Sequence, residues 1–121
     1  MAHILLVEDD DLVANLLTKV LRRTGHTLLT ARDGEEALEL CRSATHELGL
    51  VITDIVMPGL SGPEWVEAAG GALDEVPVTY ISGYSDDARA PHGLLVKDAE
   101  LLTKPFQMDQ LLDLVERRVG R

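Results

Sequence analysis

Five short apolar runs alternate with segments of helical periodicity along the 121 residues of this chain. The runs are HILLV from position 3, HTLLTA from 26, LVITD from 50, VPVTYIS from 76 and ELLT from 100. Such alternation is typical of a parallel sheet whose strands are joined by crossover helices. Because a chain of this length can bury one core, we expect a single α/β domain over residues 1–121.

The helical segments carry recognisable start and stop signals. In the first segment six apolar residues are predicted to form one stripe of a helix, and Gly25 is expected to stop the helix. These six are Leu12, Val13, Leu16, Leu17, Val20 and Leu21. Ser61 and Pro63 suit the start of the third helix, and Gly70-Gly71 its end. Trp65 in that helix is expected to pack in the core.

The last two segments differ in regularity. Pro91 and Gly93 interrupt the pattern between the fourth and fifth strands, which predicts a short or irregular element there. The final segment, MDQLLDLVERRV, has an uninterrupted helical stripe.

Composition narrows the functional classes. A net charge of −10 argues against direct binding of nucleic acid, which requires a basic surface. The chain has neither a spanning apolar run of roughly 20 residues nor a signal-peptide pattern, so we expect a cytoplasmic protein without membrane insertion. The lone Cys41 is expected to be a small core residue. The four histidines share no metal-ligand spacing and are expected at the surface or at strand edges.

Polar residues follow the carboxyl ends of the predicted strands, where open α/β sheets bind their ligands. Glu8 and Asp9 follow the first strand, whereas Asp10 and Asp11 are assigned to the cap of the first helix. The third, fourth and fifth strands end near Asp54, Ser82 and Lys104 respectively. Taken singly, the acids could be helix caps or turn residues, and Ser82 or Lys104 would indicate almost nothing, but together these residues predict a site.

The chemistry of these groups indicates phosphoryl transfer. Neighbouring carboxylates favour a hard cation, and Mg²⁺ suits oxygen ligands better than Zn²⁺, which prefers His or Cys. With Mg²⁺ beside it, Asp54 could accept a phosphoryl group, Lys104 could balance the charge on the phosphoryl oxygens and Ser82 could donate a hydrogen bond. The chain contains neither GxxxxGK[ST] nor GxGxxG, which argues against a nucleotide enzyme.

The segments ILLVEDD, VITDIVMPGLSG, VTYISG and TKPF, in this order and spacing, resemble the receiver domain of two-component response regulators. The resemblance implies a flavodoxin-like (CheY-like), doubly wound, five-stranded parallel sheet of order 2-1-3-4-5. It also implies that Asp54 is the phosphoacceptor, that Glu8 and Asp9 hold Mg²⁺ and that the backbone carbonyl of Val56 completes the metal site. Ser82 and Lys104 match the residues that contact the phosphoryl group, and the Lys104-Pro105 bond is expected to be cis.

The resemblance further implies a partner and a switch. The phosphoryl donor would be a sensor histidine kinase or a histidine phosphotransfer protein, and phosphorylation would shift the domain to a second conformation. The expected assembly is a monomer or a weak dimer. Leu101 stands where such domains often carry an aromatic residue. The usual coupling of the hydroxyl's movement to an inward swing of that ring is therefore in doubt. The pattern from position 82 to 106 looks more like receivers of hybrid histidine kinases than those of transcription factors.

Two other functions remain open at this point. A haloacid-dehalogenase-like phosphatase also uses an aspartate nucleophile and Mg²⁺, but its D-x-D signature follows the first strand. A pseudo-receiver would keep the fold as an interaction module, and the complete set of acids, hydroxyl and lysine argues against it.

Overall fold

The computed structural model describes residues 3–43, 48–82, 100–103 and 107–119. The strands are β1 (His3–Val7), β2 (Thr27–Ala31), β3 (Leu48–Asp54), β4 (Val78–Ser82) and β5 (Glu100–Thr103). The helices are α1 (Asp11–Arg22), α2 (Gly34–Ser43), α3 (Gly62–Ala69) and α4 (Met108–Val119), and a 3₁₀ turn covers Gly70–Leu73. The predicted irregular element between β4 and β5 lies outside the described residues.

The five strands form one sheet in the order β2-β1-β3-β4-β5, and every neighbouring pair is parallel. The predicted strand order is therefore confirmed. In a sheet of this kind all carboxyl ends lie along the same edge, and the strand order reverses direction between β1 and β3.

Alternation along the strands divides the core between the two faces of the sheet. Ile4 and Leu6 of β1 pack with residues of α1 and α4, whereas Leu5 and Val7 pack with residues of α2 and α3. Successive side chains of a strand point to opposite faces, so a strand covered on both faces must be apolar throughout. This requirement explains why β1 reads as one continuous apolar run.

The third helix begins as the sequence predicts. The Ser61 hydroxyl accepts from the Glu64 N–H at 3.2 Å, and the Glu64 carboxylate accepts from the Ser61 N–H at 2.9 Å. This capping box satisfies two N–H groups that the helix itself leaves without partners. Gly70, with φ of 53°, ends the helix.

The structure adds two observations on burial. Leu12 and Leu16 of α1 are 81% and 51% exposed, because the sheet and α4 cover only the side of α1 that carries Leu17, Val20 and Leu21. His26, expected at the surface or at a strand edge, directly precedes β2, which is an edge strand of the sheet, and is 7% exposed.

Cys41 is half-buried and packs against the α2–α3 side of the core, in keeping with the core interpretation. Among the described residues, no helix has the length and apolar content needed to cross a bilayer.

Candidate functional site

The register of the strands brings the polar strand ends to the same level. Val7 of β1 pairs with Thr53 of β3, so that the residues that follow them, Glu8 and Asp54, lie side by side. Asp54 pairs with Ile81, which places Ser82 one residue further along the same edge. A hydrogen bond of 3.1 Å from the Glu8 N–H to the Ala31 carbonyl also ties this edge to the end of β2.

Three carboxylates meet at this edge. Glu8, Asp9 and Asp54 each place one carboxylate oxygen within 4.8 Å of the other two. Glu8 and Asp54 are only 3% and 5% exposed, whereas Asp9 is open to solvent. Two of the three negative charges are therefore held in a poorly hydrated position beside one accessible carboxylate.

This donor set fits a hard divalent cation. Two carboxylates 4.8 Å apart repel each other by about 3.5 kcal/mol at an effective dielectric constant of about 20, so a cation between them is strongly favoured. All three donors are carboxylate oxygens, which suits Mg²⁺ or Ca²⁺ and not the nitrogen and sulfur preference of Zn²⁺.

Asp10, the next acid after Asp9, has a different role. Asp10 Oδ1 accepts hydrogen bonds from the N–H groups of Leu12 at 2.9 Å and Val13 at 3.2 Å, so it is the N-cap of α1. Its own N–H donates to Glu8 Oε2 at 3.0 Å. The division made from the sequence, with Asp10 in the cap, is confirmed, and the cap also orients Glu8.

The chain after Asp54 turns sharply against the end of the sheet. The Ile55 N–H donates to the Ile81 carbonyl at 3.0 Å, and the Gly62 N–H donates to the Ile55 carbonyl at 2.8 Å. A Cβ added at Gly62 would lie 2.2 Å from the carbonyl oxygen of Asp54. Only glycine allows the start of α3 to approach Asp54 this closely.

The structure describes some of the remaining predicted site residues. Ser82 ends β4 and is 4% exposed. The Val56 side chain is 51% exposed in the turn after Asp54, and its expected role as a carbonyl ligand stays a prediction. Lys104 and the Lys104-Pro105 bond lie outside the described residues.

Sequence reasoning missed a hydrogen-bonded pair beneath Asp54. Trp65 is fully buried, as expected, but its indole N–H also donates to Thr53 Oγ1 at 3.0 Å. The Thr53 hydroxyl in turn donates to the Asp54 carbonyl oxygen at 3.0 Å. The only sequence signal was a polar residue at a position of β3 that alternation assigns to the face covered by α3.

Among the described residues, two clefts can be located near this edge. One, of about 390 Å³, is lined by Asp9, Arg32, Asp33, Glu36 and Pro58, so it opens beside the exposed carboxylate of the cluster. The Arg32 guanidinium there lies 3.3 Å from Asp11, in a solvent-exposed ion pair of small energetic value. The other, of about 790 Å³, runs along α2 and includes none of the three clustered carboxylates.

Burial perturbs the pKa values of Tyr80 and Cys41. Burial raises the pKa of the Tyr80 phenol, two residues before Ser82, above its ordinary value, because desolvation disfavours the phenolate. Burial likewise raises the pKa of the Cys41 thiol, which makes it less reactive than a free thiol.

Comparison with known proteins assigns this arrangement to a family. The response regulator receiver domain matches residues 4–116. The chain is 38% identical over 109 residues to the transcriptional regulatory protein YrkP of Bacillus subtilis, covering 90% of this chain and 46% of YrkP. It is 35% identical over 122 residues to the sensor kinase CckA of Brucella abortus, covering 99% of this chain and 13% of CckA.

A solved structure agrees with these relatives. The receiver domain from the hybrid histidine kinase CckA superposes with a TM-score of 0.80 at 32% identity, covering 98% of this chain and 99% of that one. The chain thus spans less than half the length of these two curated relatives. It belongs to the response regulator receiver domain family and is a two-component signalling domain. The phosphatase and pseudo-receiver alternatives are not favoured.

Proposed function

We propose that residues 1–121 form one receiver domain in which Asp54 accepts a phosphoryl group from a phosphohistidine. The observation that carries this proposal is the convergence of Glu8, Asp9 and Asp54, whose carboxylate oxygens lie within 4.8 Å of one another. The acceptor carboxylate and the phosphoryl group are both anions, so their reaction needs a cation that neutralises the two of them. Two acids beside the acceptor can hold such a cation.

Glu8, Asp9, Asp54 and the Val56 carbonyl would hold Mg²⁺. When bound, Mg²⁺ supplies charge neutralisation between the acceptor carboxylate and the phosphoryl oxygens. Glu8 accepts a hydrogen bond from the Asp10 N–H, which orients its carboxylate. An oriented carboxylate loses less conformational entropy when it binds a metal ion.

In the proposed reaction an Asp54 carboxylate oxygen attacks the phosphorus of the phosphohistidine. The new P–O bond forms as the P–N bond breaks, and the electron pair of the P–N bond stays on the imidazole nitrogen, which takes up a proton. Ser82 and Lys104 contact the transferred group through one hydrogen bond and one charge. Water attacking the phosphorus of the acyl phosphate later returns the free Asp54 carboxylate and phosphate.

The donor in this proposal is a sensor histidine kinase or a histidine phosphotransfer protein in the cytoplasm. An acyl phosphate adds up to about two negative charges and three acceptor oxygens at the edge of the sheet. Movement of Ser82 and Lys104 toward these oxygens shifts the domain to its second conformation. The resemblance to the CckA receiver favours a place in a hybrid kinase relay. The proposed assembly is a monomer or weak dimer, without nucleic acid as a direct partner.

The test is phosphorylation by acetyl phosphate with Mg²⁺, followed by intact mass. We expect a gain of one phosphoryl group that hydroxylamine removes and that EDTA prevents. Asp54→Asn should abolish the gain. Asp74→Asn should leave it unchanged, since Asp74 is an exposed aspartate in the turn before β4, at the opposite edge of the sheet.

Two outcomes would contradict the proposal. Absence of an adduct in the folded wild-type domain would favour an interaction module. Continued release of phosphate from a range of phosphate esters would favour a phosphatase.

A further inference from the structure

We propose that Trp65 and Thr53 act as positioning residues that fix the backbone of Asp54 for phosphoryl transfer. This inference rests on the proposed function of Asp54 and extends it to two residues that do not touch the phosphoryl group. It follows from a chain of two buried hydrogen bonds that connects α3 to the main chain of the acceptor.

The direction of the Thr53 hydroxyl is determined by its neighbours. An indole N–H can only donate, so the Thr53 oxygen must accept the hydrogen bond from Trp65. The hydroxyl hydrogen is then available for the Asp54 carbonyl, 3.0 Å away. Bonds in such a chain polarise and strengthen each other, most of all where water is excluded. Thr53 and Trp65 are both 0% exposed.

The Asp54 carbonyl is confined from a second side. The start of α3 lies against it so closely that a Cβ at Gly62 would meet the carbonyl oxygen at 2.2 Å. Trp65 belongs to the same helix and also abuts α2, because a Cβ at Gly34 would lie 3.0 Å from the Trp65 Cβ. The peptide plane after Asp54 is therefore clamped between a hydrogen-bonded side chain and a helix end.

This clamp matters because the direction of the Asp54 carboxylate follows from its main chain. Phosphoryl transfer depends on in-line alignment of attacking and leaving atoms, and a displacement of about 1 Å can lower a rate by as much as about a hundredfold. Two of the four proposed metal ligands, Glu8 and Asp9, come from β1 and the loop after it, so loss of the clamp should lower the metal affinity much less than it lowers the rate. Separation of rate from metal affinity is the signature of a positioning role.

The experiment measures the rate constant for adduct formation with acetyl phosphate and, separately, the dissociation constant for Mg²⁺. Thr53→Val should lower the rate constant by about tenfold and change the Mg²⁺ dissociation constant by less than about twofold. Thr53→Ser, which keeps the hydroxyl, should restore the rate constant to within about threefold of wild type.

Thr79→Val is the matched control. Thr79 lies on the adjacent strand β4, is also 0% exposed, and its hydroxyl has no hydrogen-bond partner within the described part of the chain. Its replacement removes the same buried hydroxyl without affecting the Asp54 carbonyl. We expect the Thr79→Val rate constant to equal that of the wild type.

A spectroscopic readout follows the clamp itself. Trp65 is the single tryptophan, so its indole N–H gives one isolated cross-peak in a ¹⁵N–¹H spectrum. The peak should move when Mg²⁺ and beryllofluoride bind to the wild-type protein, and in Thr53→Val it should lie upfield because the N–H has lost its acceptor. Trp65→Phe should also lower the rate constant. The double variant with Thr53→Val should react little more slowly than either single variant, because both changes break the same chain of hydrogen bonds.

The results separate the inference from the proposed function. Failure of both wild type and Thr79→Val to form an adduct would overturn the function itself. If both form the adduct and Thr53→Val reacts equally fast, only the positioning role is overturned. An equal loss of rate in Thr79→Val would also overturn it, since the effect would then belong to any buried hydroxyl of the sheet.

Discussion

Replacement of Gly62 by alanine is the sharpest test of how closely α3 is packed against the acceptor. The added Cβ would lie 2.2 Å from the Asp54 carbonyl oxygen, about 1.2 Å inside the 3.4 Å at which ordinary contacts begin. The neighbouring atoms belong to the backbone of Asp54 and Ile55, so no flexible side chain can move aside. Either α3 or the end of β3 must shift.

The free energy of this shift can be estimated from its parts. Overpacking of this kind costs about 1–3 kcal/mol, and weakening the Gly62 N–H bond to the Ile55 carbonyl costs a further 0.5–1.5 kcal/mol, approximately. The greater helix propensity of alanine offsets up to about 1 kcal/mol. The net loss in the free energy of unfolding should be about 2 kcal/mol, which corresponds to a fall of roughly 6–10 °C in melting temperature.

The assay combines thermal unfolding by circular dichroism with the rate of adduct formation from acetyl phosphate. The rate constant for adduct formation should fall by about ten- to a hundredfold, which is more than a smaller folded fraction would explain, because the displaced backbone belongs to the acceptor Asp54. Gly71→Ala is the control, since its Cβ would meet only an Asp74 side-chain oxygen at 3.8 Å. Unchanged melting and unchanged rate in Gly62→Ala would refute the close packing of α3 on Asp54.

Three further predictions concern single residues. Asp9→Asn should raise the Mg²⁺ dissociation constant by about tenfold or more, because loss of a direct ligand should weaken binding at least as much as loss of a residue that hydrogen-bonds to a ligand. Unchanged Mg²⁺ affinity in a fluorescence titration would exclude Asp9 as a ligand. Asp10→Ala should lower the free energy of unfolding by about 1 kcal/mol through loss of the α1 cap, as measured by urea denaturation, and an unchanged midpoint would contradict the cap. Burial raises the pKa of Tyr80 above its ordinary value of 10.0, so the folded state binds the phenolic proton more tightly than the unfolded state. Stability from this group is therefore complete below about pH 10 and is lost as pH rises toward the folded pKa, with a slope of at most about 1.4 kcal/mol per pH unit. Tyr80→Phe should remove this contribution to the fall in the free energy of unfolding, as measured by urea titrations between about pH 9 and pH 11. An identical dependence of that free energy on pH in both proteins would argue against a contribution from Tyr80.

Local sequence signals predicted the elements and their ends well. Ser61 and Glu64 form the capping box at the third helix, and Asp10 caps the first, because both interactions join residues two or three positions apart. β1 and β5 occupy the predicted residues. For β1 the reason is that a strand covered by helices on both faces must be a continuous apolar run. The parallel arrangement then required Glu8 and Asp54 to lie at one edge.

Signals that depend on what covers a helix were less informative. The period of α1 placed Leu12 and Leu16 on the apolar stripe with Leu17, but an apolar residue is buried only if another element lies over it. The described neighbours of α1 cover one part of its apolar face. Periodicity along one segment contains no information about the width of that cover.

The order of polar and apolar residues along the chain was enough to determine a parallel α/β protein with acids at the carboxyl ends of its strands. This holds because strand pleating and helical period act between near neighbours. The tertiary structure alone decided that three carboxylates come within 4.8 Å of one another, that Gly62 meets Asp54, and that Trp65 bonds to Thr53, twelve positions earlier. Those contacts join separate elements, so they depend on strand register and helix docking, which no local pattern specifies.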